Sequence, residues 1–354
     1  MRIVVLGASG NVGTAVLEAF AGDGHDLVGV CRRVPPEGAP YDGARWQSVD
    51  LARTTADELE PVFRGADAVV NLVWAFQPAR DTGYLERVGV GGLRTVLEAA
   101  RRAEIPHLVH MSSVGAYAAG PAEGGRVDES WPTTGIPTLA YSRHKAAAER
   151  LLDAHEAAGD PPVITRLRPG LVLQRRAGSA LLRYGLPAFL PRATLDLVPV
   201  LPLDERFAIP VVHTSDVAAA VRNAVQRGVA GAFNLSADDP ITRRELAEVL
   251  HAVPVAVPRP VVRAAVAAGW TLRLHRLDPG WIDLAFATPL IDTTRAREHL
   301  GWSPTWSARD ALRDLMIGMR SAEATASPVL RRRTVLGEAL DGTRLGPITR
   351  RALP

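Results

Sequence analysis

The chain has 354 residues, of which 47% are apolar and 22% are charged, and its formal net charge is +3. This composition is typical of a globular protein with a sizeable core, and it excludes a fibrous or mainly disordered chain. The single cysteine, Cys31, excludes an internal disulfide, and no apolar run reaches the roughly twenty residues that span a bilayer. We therefore expect a cytoplasmic protein with no membrane partner.

The placement of positive charge and of histidine does not indicate nucleic-acid or metal binding. Six arginines and two acidic residues fall within residues 325–354, so the excess of positive charge belongs to the C-terminal tail. Elsewhere no basic stripe is interleaved with aromatic residues, and the nine histidines show no metal-ligand spacing. We expect neither a nucleic-acid partner nor a metal site.

The first predicted element is a strand at residues 3–6, followed by a glycine-rich turn and an apolar-periodic helix. The turn has the spacing GxxGxxG. Glycine at these points allows a tight turn and a close approach of the backbone to a pyrophosphate, which the helix N-terminus attracts. The turn therefore predicts a dinucleotide site formed by Gly7, Ser9, Gly10, Asn11, Val12 and Gly13.

The second predicted strand, residues 26–31, ends at Arg32 and Arg33. An acidic residue at this point usually accepts hydrogen bonds from the ribose of NAD, whereas arginine accommodates the 2′-phosphate of NADP. The sequence therefore favours NADP over NAD as the cofactor.

Strands and helices continue to alternate along the chain. Further strands are predicted at residues 46–49, 68–73, 107–111, 163–167 and 231–235, and helices at 54–63, 84–102, 139–158 and 216–226. This order is typical of the α/β class, and specifically of a Rossmann-type doubly wound parallel sheet. Ligands bind at the carboxyl ends of the strands in such a sheet.

The pattern changes after residue 168, and five prolines divide residues 187–210 into short pieces. We expect residues 1–168, completed by about 211–236, to form a dinucleotide-binding domain. Residues 169–210 and 237–320 are expected to form a smaller, mostly helical substrate lobe. Residues 321–354 show little periodicity and are expected to form a disordered tail.

Lysine occurs once among the 41 basic residues, at Lys145. On the predicted helix 139–158, Lys145 lies one turn after Tyr141, so the two side chains share a face. A nearby ammonium favours the phenolate and would lower the pKa of Tyr141 toward the working range of an acid–base catalyst. Ser112 and Ser113 follow the strand 107–111 and place a hydroxyl donor at the ligand-binding edge of the sheet. The pattern predicts acid–base chemistry on an oxygen-bearing carbon.

Together these motifs resemble the extended short-chain dehydrogenase/reductase superfamily, in its NAD-dependent epimerase/dehydratase branch, up to about residue 320. The glycine turn, the YxxxK pair and the serine-rich strand end match its pattern. Asp50 and Leu51 are similar to the aspartate-hydrophobic pair beside the adenine, and we also place Asn71 near the cofactor.

The resemblance implies an NAD(P)-dependent enzyme. Tyr141 would donate and accept the proton, Lys145 would lower its pKa while holding the nicotinamide ribose, and Ser113 would hydrogen-bond the reacting oxygen. Hydride would pass between nicotinamide C4 and a carbonyl or alcohol carbon of a small-molecule substrate. A helical dimer face is usual in the family, so a homodimer is also expected.

Three departures from the family pattern argue against a nucleotide-sugar substrate. Gly89 stands where many relatives have Asn, residues 171–174 read Leu-Val-Leu-Gln where Asn-Val-Tyr-Gly is common, and Ile209 replaces an arginine that holds a diphosphate. The favoured interpretation is an NADP-preferring oxidoreductase acting on a small or medium-sized carbonyl or alcohol. Two alternatives stay open: a sugar-type epimerase or dehydratase with retained NAD, and a catalytically silent, NADP-sensing regulatory protein.

Apolar side chains near the predicted site could line a pocket. Trp74 and Phe76 follow the fourth strand, and Leu182 and Phe189 lie in the lobe. For each residue taken singly, the sequence favours packing in the lobe core or between sheet and helix over a place in a pocket.

Overall fold

The computed structural model describes residues 1–76, 80–185, 199–275 and 277–332. The strands are β1 Arg2–Leu6, β2 Asp26–Cys31, β3 Ala44–Ser48, β4 Ala68–Asn71, β5 His107–Met111, β6 Arg126–Val127, β7 Val163–Pro169, β8 Leu171–Leu173, β9 Val200–Leu203, β10 Ala208–Ile209, β11 Val211–His213, β12 Gly231–Leu235, β13 Ile241–Thr242, β14 Val253–Ala256 and β15 Leu290–Ile291. The helices are α1 Asn11–Ala19, α2 Ala56–Phe63, α3 Thr82–Glu86, α4 Gly92–Arg102, α5 Ala140–Ala158, α6 Gly178–Gly185, α7 Thr214–Arg227, α8 Arg243–Leu250, α9 Arg259–Thr271, α10 Gly280–Ala287, α11 Thr294–Leu300 and α12 Ala308–Ser321.

Seven strands form one sheet in the order β12-β7-β5-β4-β1-β2-β3, and all of their pairings are parallel. The chain progresses outward from β1 through β2 to β3, and in the opposite direction from β4 to β12. The point of reversal therefore lies between β1 and β4, where doubly wound sheets bind ligands outside the carboxyl ends of their strands. The predicted Rossmann-type doubly wound sheet is confirmed.

The central strands are nearly continuous runs of Val, Ile and Leu because both faces of the sheet are covered. Apolar side chains of α1 and α7 pack on one face. Those of α2, α4 and α5 pack on the other. This double covering fixes the register of the strands and brings their carboxyl ends together at one edge.

One predicted helix is divided. The sequence predicts a single helix over residues 84–102, whereas the chain forms α3, a π-helical turn over Arg87–Gly91, and then α4. Such wider turns occur frequently at functional sites. Here the turn carries Gly89, whose missing side chain leaves room for the ring of Trp74.

A third apolar cluster lies beyond β7 and includes Leu173, Val211, Ile241 and Leu312. Side chains of the short strands β8, β10, β11 and β13 and of the helices α6, α8 and α12 pack in it. Leu182 on α6 is completely buried, so packing explains it. Phe189 lies outside the described residues, as do the prolines at 187 and 191. Within the described part of the chain, no helix combines the length and the apolar character that crossing a bilayer requires.

Residues 322–332 are placed against the body, which differs from the expectation of disorder beyond residue 321. Ser327 and Leu330 are 0% and 1% exposed. The Ser327 hydroxyl donates to the Ser9 carbonyl at 2.5 Å, and Thr325 Oγ1 lies 2.9 Å from the Tyr41 hydroxyl. Periodicity does not reveal this segment because it is held by individual hydrogen bonds rather than by an apolar stripe. Residues 333–354 lie outside the described part of the chain.

Candidate active site

The glycine-rich turn has the geometry that a pyrophosphate cradle requires. Gly7 adopts φ +82°, a conformation that L side chains rarely take. A Cβ on Gly13 would lie 2.2 Å from the Gly7 carbonyl oxygen, so α1 can approach the turn this closely only with glycine there. Helix α1 begins at Asn11, directly after Gly10, and its N-terminus points unpaired N–H groups toward the turn. These residues fit a dinucleotide phosphate.

Two contacts of this turn were missed by the sequence analysis. Gln174 Nε2 donates to the backbone carbonyl and the side-chain oxygen of Asn11, at 2.9 and 2.5 Å. The Ser327 hydroxyl holds the Ser9 carbonyl from the C-terminal segment. Both partners are more than 150 residues away in sequence, and no local pattern signals such a contact. Val12 packs on the core beneath the turn.

The expected adenine side of the site contains Arg32, Arg33, Asp50 and Leu51. Arg32 Nη1 donates to the Tyr84 hydroxyl at 2.7 Å, which holds the guanidinium beside α3. Arg33 is partly exposed. Asp50 Oδ1 accepts from the Ala52 N–H at 3.1 Å, and Leu51 is buried in the core. All four follow β2 or β3, at the same edge as the glycine-rich turn.

Asn71 is held inside the sheet edge. Its Oδ1 accepts from the Val73 N–H at 3.2 Å, and its Nδ2 lies 3.3 Å from Nδ1 of His110. The side chain is 2% exposed. These contacts give Asn71 the role of shaping the loop after β4, and they leave its predicted contact with a cofactor without support.

Ser113 and Tyr141 are brought together by a buried serine in the first turn of α5. Ser142 Oγ donates to the Gly115 carbonyl at 2.5 Å and accepts from the Ile136 N–H at 2.6 Å. It thereby ties the start of α5 to the segment that follows Ser113. The Ser113 hydroxyl is hydrogen-bonded to Tyr141 and also accepts from the Gly115 N–H at 3.0 Å.

The ionisation of Tyr141 differs from the expectation. Burial raises its pKa to about 12, and the hydrogen bond with Ser113 offsets only part of this effect. Lys145, one turn along α5, was expected to lower the pKa of Tyr141. It does not act in this way here because its ammonium is directed elsewhere.

Lys145 is buried beneath an aromatic ring. Its Nζ donates to the Met111 carbonyl at 2.8 Å and lies 3.5 Å from the centre of the Trp74 ring. Burial lowers the pKa of Lys145 to about 7, and the Glu149 carboxylate opposes this shift only in part.

Gly89 explains how Trp74 reaches this position. A Cβ on Gly89 would lie 2.9 Å from the Trp74 ring, closer than real Cβ contacts allow. Gly89, which replaces the Asn common in the family, thus leaves the space that the Trp74 indole occupies. Sequence reasoning identified both positions but not their contact.

A buried ionic cluster supports the serine-bearing strand end from below. Glu149 on α5 is 0% exposed and accepts from Ser112 Oγ, Arg166 and Arg168. Burial alone would raise the pKa of Glu149, but these hydrogen bonds and charges outweigh it and hold the pKa at about 2. Arg168 also donates to the Tyr117 hydroxyl at 3.0 Å. The cluster joins β5, β7 and α5 beneath the candidate catalytic groups.

These features define a doubly wound fold whose glycine-rich turn suits a dinucleotide phosphate and whose sheet edge also carries Ser113, Tyr141 and Lys145. The sequence pattern of the NAD dependent epimerase/dehydratase family matches residues 3–236. The chain belongs to this family, as its motifs had indicated.

Two known relatives are identical to this chain at about a quarter of the aligned residues. One is a dTDP-6-deoxy-L-talose 4-dehydrogenase (NAD(P)(+)) of Kitasatospora kifunensis, 27% identical over 91% of this chain and 96% of the relative. Another is an uncharacterized protein of Mycobacterium tuberculosis, 25% identical over 90% of this chain. The chain spans only 30% of the length of that mycobacterial protein.

Among solved structures, the fold is similar to that of a UDP-glucose-4-epimerase from Stenotrophomonas maltophila with bound NAD and formylated UDP-arabinopyranose. The TM-score is 0.69 at 19% identity, and the match covers 91% of this chain and 98% of the epimerase. At this identity the likeness establishes the fold alone.

Proposed function

We propose that this protein is an NAD(P)-dependent oxidoreductase that interconverts a carbonyl group and an alcohol on a small or medium-sized substrate. The observation that carries the proposal is the location of Ser113, Tyr141 and Lys145 at the sheet edge that also bears the glycine-rich turn. The relative named as an NAD(P)-dependent 4-dehydrogenase supports the same reaction class.

Tyr141 is the proposed general acid. Its pKa of about 12 keeps the phenol protonated at neutral pH, so the hydroxyl is available to protonate a carbonyl oxygen. Ser113, hydrogen-bonded to that hydroxyl, is placed to donate to the same oxygen and to orient it. When bound, the nicotinamide cofactor supplies hydride to the carbonyl carbon or accepts it from the alcohol carbon.

Lys145 is proposed to replenish the proton once its ammonium leaves the Met111 carbonyl. With a pKa of about 7, ammonium and amine coexist at neutral pH, and the group can return a proton to Tyr141 after a reduction. Lys145 would also hold the nicotinamide ribose once the Trp74 ring has turned away. Arg32 and Arg33 favour NADP, because guanidinium groups at the end of β2 suit a 2′-phosphate.

An epimerase or dehydratase with retained NAD is the second candidate, and membership of the NAD dependent epimerase/dehydratase family favours it. Ile209 argues against it. Its side chain packs into the apolar cluster of the lobe and pairs with Ile241, where the family commonly uses an arginine for the diphosphate. We therefore place net oxidation or reduction first.

The test is net consumption of NADPH, followed by absorbance, with a panel of ketones and aldehydes. We expect turnover, and a loss of about 10²-fold in kcat in Ser113→Ala. Ser321→Ala is the matched control, because among the described residues its hydroxyl donates to carbonyls of its own helix alone, and it should leave kcat unchanged. Tightly retained NAD, with product formed but no net change in absorbance, would instead support the second candidate.

A further inference from the structure

Three aromatic rings surround the ring of Tyr141. Phe76 stacks on it with a centroid distance of 5.3 Å and an interplanar angle of 22°. Trp281 lies at 5.1 Å, and the Phe76 and Trp281 rings are 6.4 Å apart. Trp74 meets the same ring edge-on at 6.3 Å. We call the rings of Phe76 and Trp281 the aromatic wall.

The aromatic wall joins two parts of the molecule. Trp74 and Phe76 lie in the loop after β4, at the edge of the sheet, whereas Trp281 opens α10. Phe76 is 45% exposed and Trp281 is partly exposed. A ring that only filled the core would be buried, so these faces are available beside the candidate general acid.

Two guanidinium groups beside α10 already share a carboxylate partner. Arg259 and Arg263 both bind the buried carboxylate of Asp283, at 2.8 and 2.9 Å. Both guanidinium groups are therefore paired with Asp283, which lies two residues after Trp281 on α10. A diphosphate needs guanidinium or ammonium partners, whereas a flat apolar molecule needs ring faces.

We propose that the substrate is a planar, apolar carbonyl compound, an aromatic or fused-ring ketone, held against Phe76 and Trp281 with its oxygen toward Tyr141 and Ser113. The proposal rests on the proposed function for the reaction itself. In that reaction the carbonyl carbon gains hydride and its oxygen gains the Tyr141 proton, which gives the secondary alcohol, while NADPH is oxidised to NADP.

The test is calorimetric titration of the protein saturated with NADP, using 1-tetralone, cyclohexanone and UDP-glucose as probes. We expect 1-tetralone to bind about tenfold more tightly than cyclohexanone, because only the fused aromatic ring can stack on the wall. UDP-glucose should bind no more tightly than cyclohexanone. Tighter binding of UDP-glucose than of 1-tetralone, or no binding of either ketone, would overturn the proposal.

Variants separate stacking from general hydrophobicity. Phe76→Leu and Trp281→Leu keep apolar volume but remove the rings, and each should weaken 1-tetralone binding by about two- to tenfold while leaving cyclohexanone unchanged. Phe286→Leu is the matched control, since Phe286 lies on the same helix but faces Phe207. If Phe76→Leu and Trp281→Leu both fold and both keep the parental affinity for 1-tetralone, the aromatic wall does not bind the substrate. The melting temperature of each variant identifies any that fails to fold, and the other variant then decides.

A catalytic variant distinguishes this proposal from the proposed function. Tyr141→Phe keeps the stacked ring and should bind 1-tetralone as the parent does, without reducing it. If it binds the ketone and still reduces it at the parental rate, the substrate class stands and the assignment of Tyr141 falls. If the parent reduces other carbonyl compounds but no ring variant affects 1-tetralone binding, the reaction stands and the aromatic wall falls.

Discussion

Replacing Glu149 by Gln is expected to destabilise the fold strongly. The carboxylate accepts hydrogen bonds from Arg168 at 2.9 Å through two nitrogens, from Arg166 at 2.9 Å and from Ser112 at 2.5 Å. Arg166 keeps two other carboxylate partners, Asp153 and Glu156, whereas the other hydrogen-bond acceptors of Arg168 are neutral oxygens. Removing one member of a buried pair costs about 3–5 kcal/mol, because the remaining charge stays buried without compensation.

The assay is urea unfolding at neutral pH, with the free energy of unfolding compared at equal m values. Glu156→Gln is the matched control, since that side chain is 40% exposed and makes one bond to Arg166. It should cost less than about 1 kcal/mol. A loss for Glu149→Gln as small as that of the control would refute the ionic cluster as a support of the site.

The pairing of Glu149 with Arg168 also makes the free energy of unfolding depend on pH, with a definite sign. The folded pKa of Glu149, about 2, lies below its ordinary value of 4.5. A depressed carboxyl pKa contributes stability that is complete above the unfolded value and is lost as the pH falls through the folded value. The difference in stability between the parent and Glu149→Gln should therefore shrink from pH 4.5 downward to about pH 2.

Three further predictions concern the site. If Lys145 returns the proton, kcat for carbonyl reduction should fall as the pH rises through about 7, and this inflection should be absent in Lys145→Met; an unchanged profile would contradict the proton-return role. Deletion after residue 324 should weaken NADPH binding and lower the melting temperature. Ser327→Ala should also weaken NADPH binding, because its hydroxyl holds the Ser9 carbonyl. Equal NADPH affinities, measured by fluorescence titration, would show that the segment does not support the turn. Arg32→Ala should weaken NADPH binding by about tenfold and leave NADH unchanged, whereas equal affinity of the parent for NADPH and NADH would refute the preference.

Local sequence patterns predict most of the fold. The strands 26–31, 107–111 and 231–235 occur at the predicted residues, because parallel strands covered on both faces produce clear apolar runs. The π-helical turn at Arg87–Gly91, which divides the predicted helix 84–102, was not predicted. The turn carries Gly89, which lies against the ring of Trp74 from a different loop, and no local pattern signals that contact.

Contacts between distant segments account for the rest of the candidate site. The sequence identifies Tyr141 and Lys145 by their spacing but suggests that the ammonium acts on the phenol. In the fold, Lys145 instead donates to the Met111 carbonyl beneath Trp74. The contact of Ser327 was not predicted for the same reason. It is a single hydrogen bond from one buried hydroxyl, and a single bond produces no periodic pattern in the sequence.

The most direct test of the proposed function is the rate of NADPH oxidation by Tyr141→Phe, with the carbonyl compound that the parent reduces fastest. NADPH affinity and the melting temperature serve as controls, and both should match the parent. If Tyr141 is the general acid, the rate should fall by about 10²- to 10⁴-fold. A rate within about tenfold of the parent would contradict the assignment of Tyr141 as the general acid.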